Sequence, residues 1–205
     1  MKTSALETKR AALLDIASQM LRREGFQRFK VAALAEAGSV SISTIYALFG
    51  SKEGIYLAYL EAKIVFLFEA IDGYTAREPV LRLKHYAGTI FKMAEEGKLM
   101  LEEGVRNNPL FFNALSNEFP QSAQKLYAFL AACLSEINPD LDERQAGLLG
   151  FAFNGQLHGY LQFWMTAGGD IHELADELCD TFVCFARECY PNGRDLFQES
   201  GEANP

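Results

Sequence analysis

The segment from residue 25 to residue 55 constrains the fold of this chain more than any other, because apolar positions and helix-breaking residues alternate within it over a short distance. Val31, Leu34 and Ala35 have the spacing of one buried helix face, and a Gly-Ser pair then interrupts the pattern. Ser41 is placed to cap a second short helix. Two short helices joined by a tight turn predict a helix-turn-helix, whose second helix is shaped to lie in a DNA major groove.

A longer helix is predicted in front of this segment, from about Lys9 to Glu24. Gly25 is placed to end it, because glycine adopts the left-handed backbone conformation that a helix C-terminus often requires. Two short helices cannot bury their own apolar faces, so this longer helix would close a three-helix core. Its apolar residues recur at helical spacing on one face and are Leu13, Ile16, Ala17, Met20 and Leu21.

These residues together resemble the DNA-binding signature of the TetR family of transcriptional regulators. The resemblance covers about the first 55 residues and rests on Gly25-Phe26, Val31-x-x-Leu34-Ala35 and Val40-Ser41-x-Ser43-Thr44-Ile45-Tyr46-x-x-Phe49-x-Ser51-Lys52-Glu53. It implies an all-α protein with an N-terminal three-helix helix-turn-helix DNA-binding domain at residues 1–55. A larger C-terminal helical ligand-binding and dimerisation domain would follow at residues 56–205.

The recognition helix is expected at about residues 42–49, and the predicted DNA contacts form two groups. The resemblance matches Thr44, Tyr46 and Lys52 to positions that contact the DNA backbone. Further side chains that can reach phosphates are Lys30, Ser41 and Ser43. The residues expected to face base edges are Ile42, Ser43 and Ala47.

Three features depart from the family pattern. Ser39 stands where the turn usually has glycine, which predicts a slightly strained turn. Lys30 stands where Ser or Thr usually caps the second helix; it cannot accept that hydrogen bond, but it can reach a phosphate. The recognition helix has no Arg, Lys, Asn or Gln, the usual bidentate readers of guanine and adenine. Selectivity is therefore left to thymine methyl groups, water, DNA shape, or a basic arm of Lys2, Lys9 and Arg10.

The net charge of −8 divides unevenly along the chain. Residues 1–55 carry eight Lys or Arg against five Asp or Glu, whereas residues 56–205 carry eleven against twenty-two. Because residues 1–55, the head of the molecule, are net basic and residues 56–205 are net acidic, we expect the molecule to bind DNA through its N-terminal end. The sequence has no apolar run of ~18 residues and no apolar signal-peptide core near its start, so we expect a cytoplasmic protein without a membrane partner.

Beyond the head, Pro, Gly and Asn punctuate a sequence that shows no strand-like alternation. A fourth helix is predicted to start at Ser51-Lys52-Glu53 and to continue to about Ile71. Further helices are predicted at about 79–96, 99–106, 109–117, 121–137, 141–166 and 171–190. The pattern predicts an all-α fold.

The last two predicted helices carry a candidate dimer interface. The resemblance implies a two-fold homodimer in which these helices form a four-helix bundle, and in which two recognition helices read a palindromic operator. In a monomer the same faces could simply pack inward. The expected interface residues are Ala152, Gly155, Gly159, Phe163, Leu178, Phe182 and Phe185.

The opposite face of the first of these helices predicts a small-molecule pocket. Asn154 and His158 are polar groups on a face expected to point inward, and aromatic residues of other helices could supply apolar walls. The same residues could instead be ordinary core. The candidate lining residues are Phe66, Tyr86, Phe91, Phe112, Tyr127, Phe151, Asn154 and His158. Such an interior favours an apolar or aromatic effector, and no cofactor or metal is expected.

The sequence contains the four cysteines Cys133, Cys179, Cys184 and Cys189. No CxxC pair occurs, and spacings of five residues place successive cysteines on different sides of a helix, which suits neither a metal site nor a disulfide framework. Buried, inert thiols are the simplest interpretation, and a redox-sensing role stays open.

These observations predict a ligand-responsive transcriptional regulator, most simply a repressor that a small-molecule effector releases from a double-stranded DNA operator. An enzyme is disfavoured because the sequence contains no catalytic motif or phosphate-binding loop, although His158 could form an acid–base pair with Glu102 or Glu103. The other alternative is a helical adaptor that keeps the helix-turn-helix scaffold but binds a protein partner. The cation-free recognition helix is its best support.

Overall fold

The structure is a computed structural model that describes residues 5–107 and 117–189. Every regular element in this part of the chain is an α-helix, which confirms the predicted all-α class. Within the same residues, no single helix is long and apolar enough to cross a membrane. In chain order the helices are α1 (Ala5–Arg28), α2 (Val31–Ala37), α3 (Ile42–Phe49), α4 (Lys52–Gly73), α5 (Pro79–Glu96), α6 (Lys98–Asn107), α7 (Pro120–Ile137), α8 (Glu143–Ala167) and α9 (Ile171–Glu188).

Local signals in the sequence set most of these helix limits. Asp142 starts α8 with a reciprocal capping box: its carboxylate accepts a hydrogen bond from the Gln145 N–H at 2.7 Å, and the Gln145 side chain accepts one from the Asp142 N–H at 2.9 Å. Asp170 starts α9 by accepting from two backbone N–H groups, and these hydrogen bonds lower the pKa of its carboxyl. The helix predicted at 109–117 lies outside the described residues, except at its last position.

By its contacts the chain divides into two compact units. The first unit contains the described residues within Met1–Glu69 and Met93–Leu115, and the second contains those within Ala70–Lys92 and Ser116–Pro205. Because the divisions fall inside α4 and α5, each of these helices contributes residues to both units. In the first unit α6 packs against α1. The proposed domain boundary at residue 55 stays a prediction.

The first unit has the predicted three-helix core, extended by the start of α4. The helical spacing of α1 is confirmed, because Leu13, Ala17, Met20 and Leu21 are buried and Ile16 packs half-buried against the same cluster. Residues of the other helices and of the connection between α1 and α2 complete the cluster, and the largest of these that are fully buried are Phe29, Leu34, Ile45 and Ile55. Each such side chain contributes about 1.5–3 kcal/mol through removal of its apolar surface from water.

The second unit is built mainly from α7, α8 and α9, which all pack against one another. Phe153 is fully buried at the middle of α8, and its ring meets that of Phe182 from α9 edge-on at a centroid distance of 5.1 Å. Leu130 and Leu134 of α7 are also fully buried. The unit therefore has an apolar core of its own, independent of the first.

The turn between α2 and α3 contains the backbone strain expected from its sequence. Ser39 has a φ of 52°, and it is the only non-glycine residue with positive φ among residues 5–107 and 117–189. Its N–H donates to the Glu36 carbonyl at 3.0 Å, and the Val40 N–H donates to the Ala35 carbonyl at 2.9 Å. This is a Schellman helix end, whose left-handed position normally holds glycine. The predicted strain at Ser39 is confirmed in its geometry.

Replacing Ser39 by glycine should raise the free energy of unfolding by about 0.5–1 kcal/mol, because the relief of left-handed strain exceeds the added backbone entropy of the unfolded chain. Urea unfolding followed by circular dichroism measures this difference. The matched control is Ser39→Ala, which retains the Cβ and should stay close to the parent protein. Equal stability of the two variants would show that the Cβ at this position is not strained.

Candidate nucleic-acid interface

α2 and α3 form a bent pair whose second helix is fixed by its buried side. The chain turns by 107° between the two helices, within the range of DNA-binding helix-turn-helix pairs. Ile45 is fully buried, Phe49 is almost so, and Val40 packs half-buried against the same core. These three side chains hold α3 against the core of the first unit. One side of α3 is thereby committed to the core, and the other faces solvent.

The first turn of α3 is organised by hydroxyl groups. Ser41 is the N-cap, and its Oγ accepts a hydrogen bond from the Thr44 N–H at 3.2 Å, which confirms the predicted cap. The same Oγ lies 2.8 Å from the Ser43 hydroxyl and 2.9 Å from the Thr44 hydroxyl. The hydroxyls of the helix start therefore form one cluster, at the helix end where backbone N–H groups favour a phosphate.

The solvent side of α3 carries the residues predicted to meet DNA. Ile42 and Tyr46 are 45% and 46% exposed, and Ser43 and Ala47 are also exposed. These four residues lie at positions i, i+1, i+4 and i+5 and so share one face of the helix. We call them the reading face. The structure brings every predicted base-facing residue onto it.

Two exposed or half-exposed lysines begin the helices on either side of α3. Lys30 is the N-cap residue of α2 and makes no side-chain cap, as expected from its lack of an acceptor. Lys52 begins α4; its ammonium lies 4.6 Å from the centre of the Phe26 ring and donates to the Gln27 carbonyl at 3.4 Å. These contacts orient the charge of Lys52. The contact of both lysines with phosphates stays a prediction.

Glu103 of α6 holds the end of α1, a role that the sequence did not reveal. α1 is broken at Gly25, where φ is 75° and ψ is 167°, and it then continues for one short turn. The Glu103 carboxylate accepts hydrogen bonds from the freed N–H groups of Phe26 at 2.6 Å and Gln27 at 3.2 Å. A Cβ at position 25 would lie 2.5 Å from that carboxylate. Glycine is therefore favoured here by the backbone conformation, and a side chain at this position would also displace the Glu103 carboxylate.

In the second unit, three predicted pocket residues join in one hydrogen-bonded group, in which Tyr86 and Asn154 are buried and Tyr127 is half-buried. The Tyr86 hydroxyl donates to the Asn154 side-chain oxygen at 2.8 Å, and the Asn154 amide donates to the Tyr127 hydroxyl at 3.2 Å. The Tyr127 ring stacks on Phe151 with a centroid distance of 3.8 Å. We call Tyr86, Asn154 and Tyr127 the tyrosine–asparagine network. Burial raises the pKa of the Tyr86 phenol, so it stays protonated and keeps its donor.

The other predicted pocket residues do not all point inward. Phe91 is fully buried, and His158 is half-buried, with a pKa lowered to about 4 by burial. Phe151 is 59% exposed and Phe66 is 50% exposed, which corrects the expectation that both line an enclosed cavity. Phe151 lies about 60° around the helix from the inward-facing Asn154, at the edge of that face, where its ring stacks on Tyr127. Phe66 belongs to the first unit, and Phe112 lies outside the described residues.

The predicted dimer residues separate into exposed and buried sets. Leu178 and Phe182 are buried within the second unit, so they are core residues of a single chain and their assignment to a surface is corrected. Spacing alone did not distinguish the inner from the outer apolar face of α9. The remaining predicted residues are all exposed, and we call them the α8–α9 face: Ala152, Gly155, Gly159, Phe163 and Phe185.

The cysteine thiols also divide by exposure. Cys133, Cys179 and Cys189 are buried, and Cys184 is exposed. Burial raises the pKa of Cys133 to about 11 and that of Cys179 to about 12. Such thiols are almost entirely protonated near neutral pH and react slowly. The structure supports the inert interpretation for the buried three.

Comparison with known proteins identifies the N-terminal region. Residues 13–59 match the family model of bacterial regulatory proteins, tetR family, which confirms the resemblance found in the sequence. The match spans α2, α3 and most of α1, together with the start of α4. A search of curated proteins found no significant match.

Solved structures of this family share the fold of most of the chain. A tetR-family transcriptional regulator from Streptomyces coelicolor has 20% sequence identity and a TM-score of 0.71, covering 93% of this chain and 85% of that one. A TetR transcription regulator from Haloarcula marismortui has 14% identity and a TM-score of 0.70, covering 87% and 97%. The fatty acid degradation regulator FadR from Bacillus halodurans has 19% identity and a TM-score of 0.63, covering 89% and 97%. At these identities the likeness shows the fold.

Replacing Glu103 by leucine should lower the free energy of unfolding by about 1–3 kcal/mol, because two N–H groups lose a charged acceptor. The Phe26 and Gln27 amides should also exchange with solvent faster. Glu102→Leu is the matched control, since Glu102 makes only a 4.0 Å ion pair with Lys98 and should cost less than about 0.5 kcal/mol. Urea unfolding and amide hydrogen exchange measure both effects. Unchanged exchange at Phe26 and Gln27 in Glu103→Leu would contradict the capping role.

Proposed function

We propose that this TetR-family transcriptional regulator is a ligand-responsive repressor that binds a palindromic DNA operator as a homodimer. A small, apolar or aromatic effector would bind the second unit and release the operator. The proposal rests chiefly on one observation, the exposed reading face on a helix whose opposite side is locked into the core by Ile45 and Phe49. The protein would act in the cytoplasm, where its operator is accessible.

The reading face supports DNA binding by its shape and position. A short helix with a solvated outer face fits the major groove, and the hydroxyl cluster at its N-terminus can meet a phosphate. Lys30 and Lys52 place positive charge before and after the helix. Binding would therefore be driven mainly by phosphate contacts of the basic head, with the acidic remainder kept away from DNA.

The tyrosine–asparagine network is the proposed polar anchor for the effector. Its groups satisfy one another in this conformation, and a ligand that enters must supply equivalent hydrogen bonds in exchange. The surrounding side chains are largely aromatic, which suits an apolar or aromatic molecule with one or two polar atoms. Release of DNA requires only that the ligand bind the DNA-competent and DNA-incompetent conformations unequally.

The α8–α9 face supports the homodimer. Gly155 and Gly159 are exposed, and a Cβ built at either would meet no atom within 4 Å. Phe163 and Phe185, on α8 and α9, are 58% and 56% exposed. Small residues beside exposed aromatic rings suit close packing of helices from a second copy, as in a four-helix bundle. Two copies would then present two reading faces to the half-sites of a palindrome.

A helical adaptor that binds a protein partner is the second candidate function. The observation that favours it is the apolar character of the reading face, where Ile42 and Tyr46 are both about half exposed. The two functions differ in their response to salt, since DNA binding releases counterions and an apolar protein contact does not. Salt dependence therefore separates them.

Selection of bound fragments from genomic DNA, followed by salt titration on the best site, tests the proposal. We expect a short palindrome whose affinity falls on the order of a thousandfold or more between 50 and 200 mM salt. The double variant Thr44→Ala with Tyr46→Phe should bind that site more weakly and remain a dimer. Tyr74→Phe, a matched exchange in the second unit, should bind normally. No enriched sequence and a flat salt response would refute the repressor and favour the adaptor.

Replacing Gly155 and Gly159 together by leucine should break or distort the dimer, because two bulky side chains would separate the packed helices. Neither leucine would meet its own chain at the Cβ, so the fold of the single chain should persist. Gly88→Leu on α5 is the matched control, since its Cβ also meets nothing within 4 Å. Sedimentation velocity gives the oligomeric state of each protein. An undisturbed dimer in the double variant would place the interface elsewhere.

A further inference from the structure

The reading face is mainly apolar, which is unusual for a surface that meets DNA. Ile42 is 45% exposed although Ile45, on the same helix, is fully buried. Ala47 and the ring of Tyr46 extend the apolar surface along the same face. Exposure of this apolar surface to water is unfavourable in free energy, and contact with an apolar group of a partner lowers that free energy.

Polar groups on α3 cannot provide conventional base recognition. Residues 42–49 include no Arg, Lys, Asn or Gln, so bidentate hydrogen bonding to guanine or adenine is unavailable from this helix. The hydroxyls of Ser43 and Thr44 lie within hydrogen-bonding distance of the Ser41 hydroxyl at the helix start, where they are proposed to meet a phosphate. What remains along the exposed face is the side chain of Ile42, the methyl group of Ala47 and Tyr46, whose hydroxyl is expected to contact the DNA backbone.

The major groove offers one apolar group, the C5-methyl of thymine. The exposed edges of guanine, adenine and cytosine in that groove are donors and acceptors, and contact with isoleucine would strip them of water without replacement. We propose that Ile42 and Ala47 determine sequence specificity by packing on thymine methyl groups, an inference that rests on the proposed operator binding. Each half-site then contains thymines opposite these two residues.

The charges beside the reading face favour DNA over an apolar protein surface as its occupant. Lys30 and Lys52 begin the helices before and after α3, so the apolar face belongs to a segment that has a cation on each side of it in the sequence. A duplex offers a partner for both features, with thymine methyl groups in the groove and phosphates along its two edges. Residues 13–59, which contain this whole arrangement, match a family of bacterial regulatory proteins.

Single uracil substitutions in the selected operator test the inference with the full-length protein. Uracil keeps the pairing of thymine and removes only the methyl group. Affinity should fall about threefold to tenfold at the thymines that face Ile42 and Ala47, as expected for one buried methyl group, and stay unchanged elsewhere. Fluorescence anisotropy with the parent duplex and each uracil duplex gives the ratios.

Protein variants then assign each methyl group to a residue. Ile42→Ala should bind the parent operator about tenfold to a hundredfold more weakly, because both half-sites of the palindrome lose the contact. It should also lose its sensitivity to uracil at one position per half-site, while keeping the sensitivity due to Ala47. Leu57→Ala removes a comparably exposed apolar side chain from α4 and should change neither property. Circular dichroism verifies that both variants fold.

The outcomes separate this inference from the proposed function. Equal affinity for every uracil duplex, with selective and salt-dependent binding of the operator retained, would overturn thymine reading and leave the repressor intact. If Ile42→Ala kept the uracil penalty at every sensitive thymine of the half-site, the methyl contact assigned to Ile42 would belong to another residue, and the inference would also be overturned. Absence of any selected DNA sequence would refute both together.

Discussion

The burial of Ile45 and Phe49 in the core of the first unit is the constraint on which the orientation of the reading face depends. A helix as short as α3 is not stable by itself in water, because nucleation costs more than its few hydrogen bonds return. Tertiary packing therefore determines both that α3 forms and which way it is turned. The exposed side chains of α3 are not needed for its folding, so their identity can be determined by recognition alone. The absence of Arg, Lys, Asn and Gln from α3 therefore does not weaken the fold.

Two features of the first unit reduce its stability locally, and the packing of its core compensates for them. Ser39 holds a left-handed conformation at a cost of about 1–2 kcal/mol, and Lys30 leaves the start of α2 without a side-chain cap, which costs roughly another 1 kcal/mol. The burial of Leu21, Leu34 and Ile45 alone contributes about 1.5–3 kcal/mol each. The packing contribution exceeds the local costs. Lys30 therefore has a physical rationale, since a cation replaces a cap where phosphate contact is proposed.

The sequence predicted those parts of the structure that short-range spacing controls. The limits of α3, the Ser41 cap, the buried face of α1 and the strained Ser39 follow from residues within one or two helical turns. Glu103 could not be predicted in its capping role, because it acts on residues 76 and 77 positions earlier in the chain. Leu178 and Phe182 were predicted in the dimer interface but are buried in the core of the single chain, because α9 has apolar residues on both its inner and outer sides. The contacts among the aromatic residues of the second unit could not be predicted, since periodicity does not show which rings meet, and the ligand pocket stays a prediction.

The unequal exposure of the four cysteines allows a spectroscopic label to be attached at a single position without any mutation. Of the four cysteines, only Cys184 offers its sulfur to a reagent in solution, while burial protects the other three. A maleimide dye or a nitroxide would therefore attach at one position on α9, beside Phe185 of the α8–α9 face. In an assembly of two copies, a single label per chain gives one intermolecular distance. Changes in that distance on adding operator or candidate effectors would follow the motion of the assembly directly in the unmodified sequence.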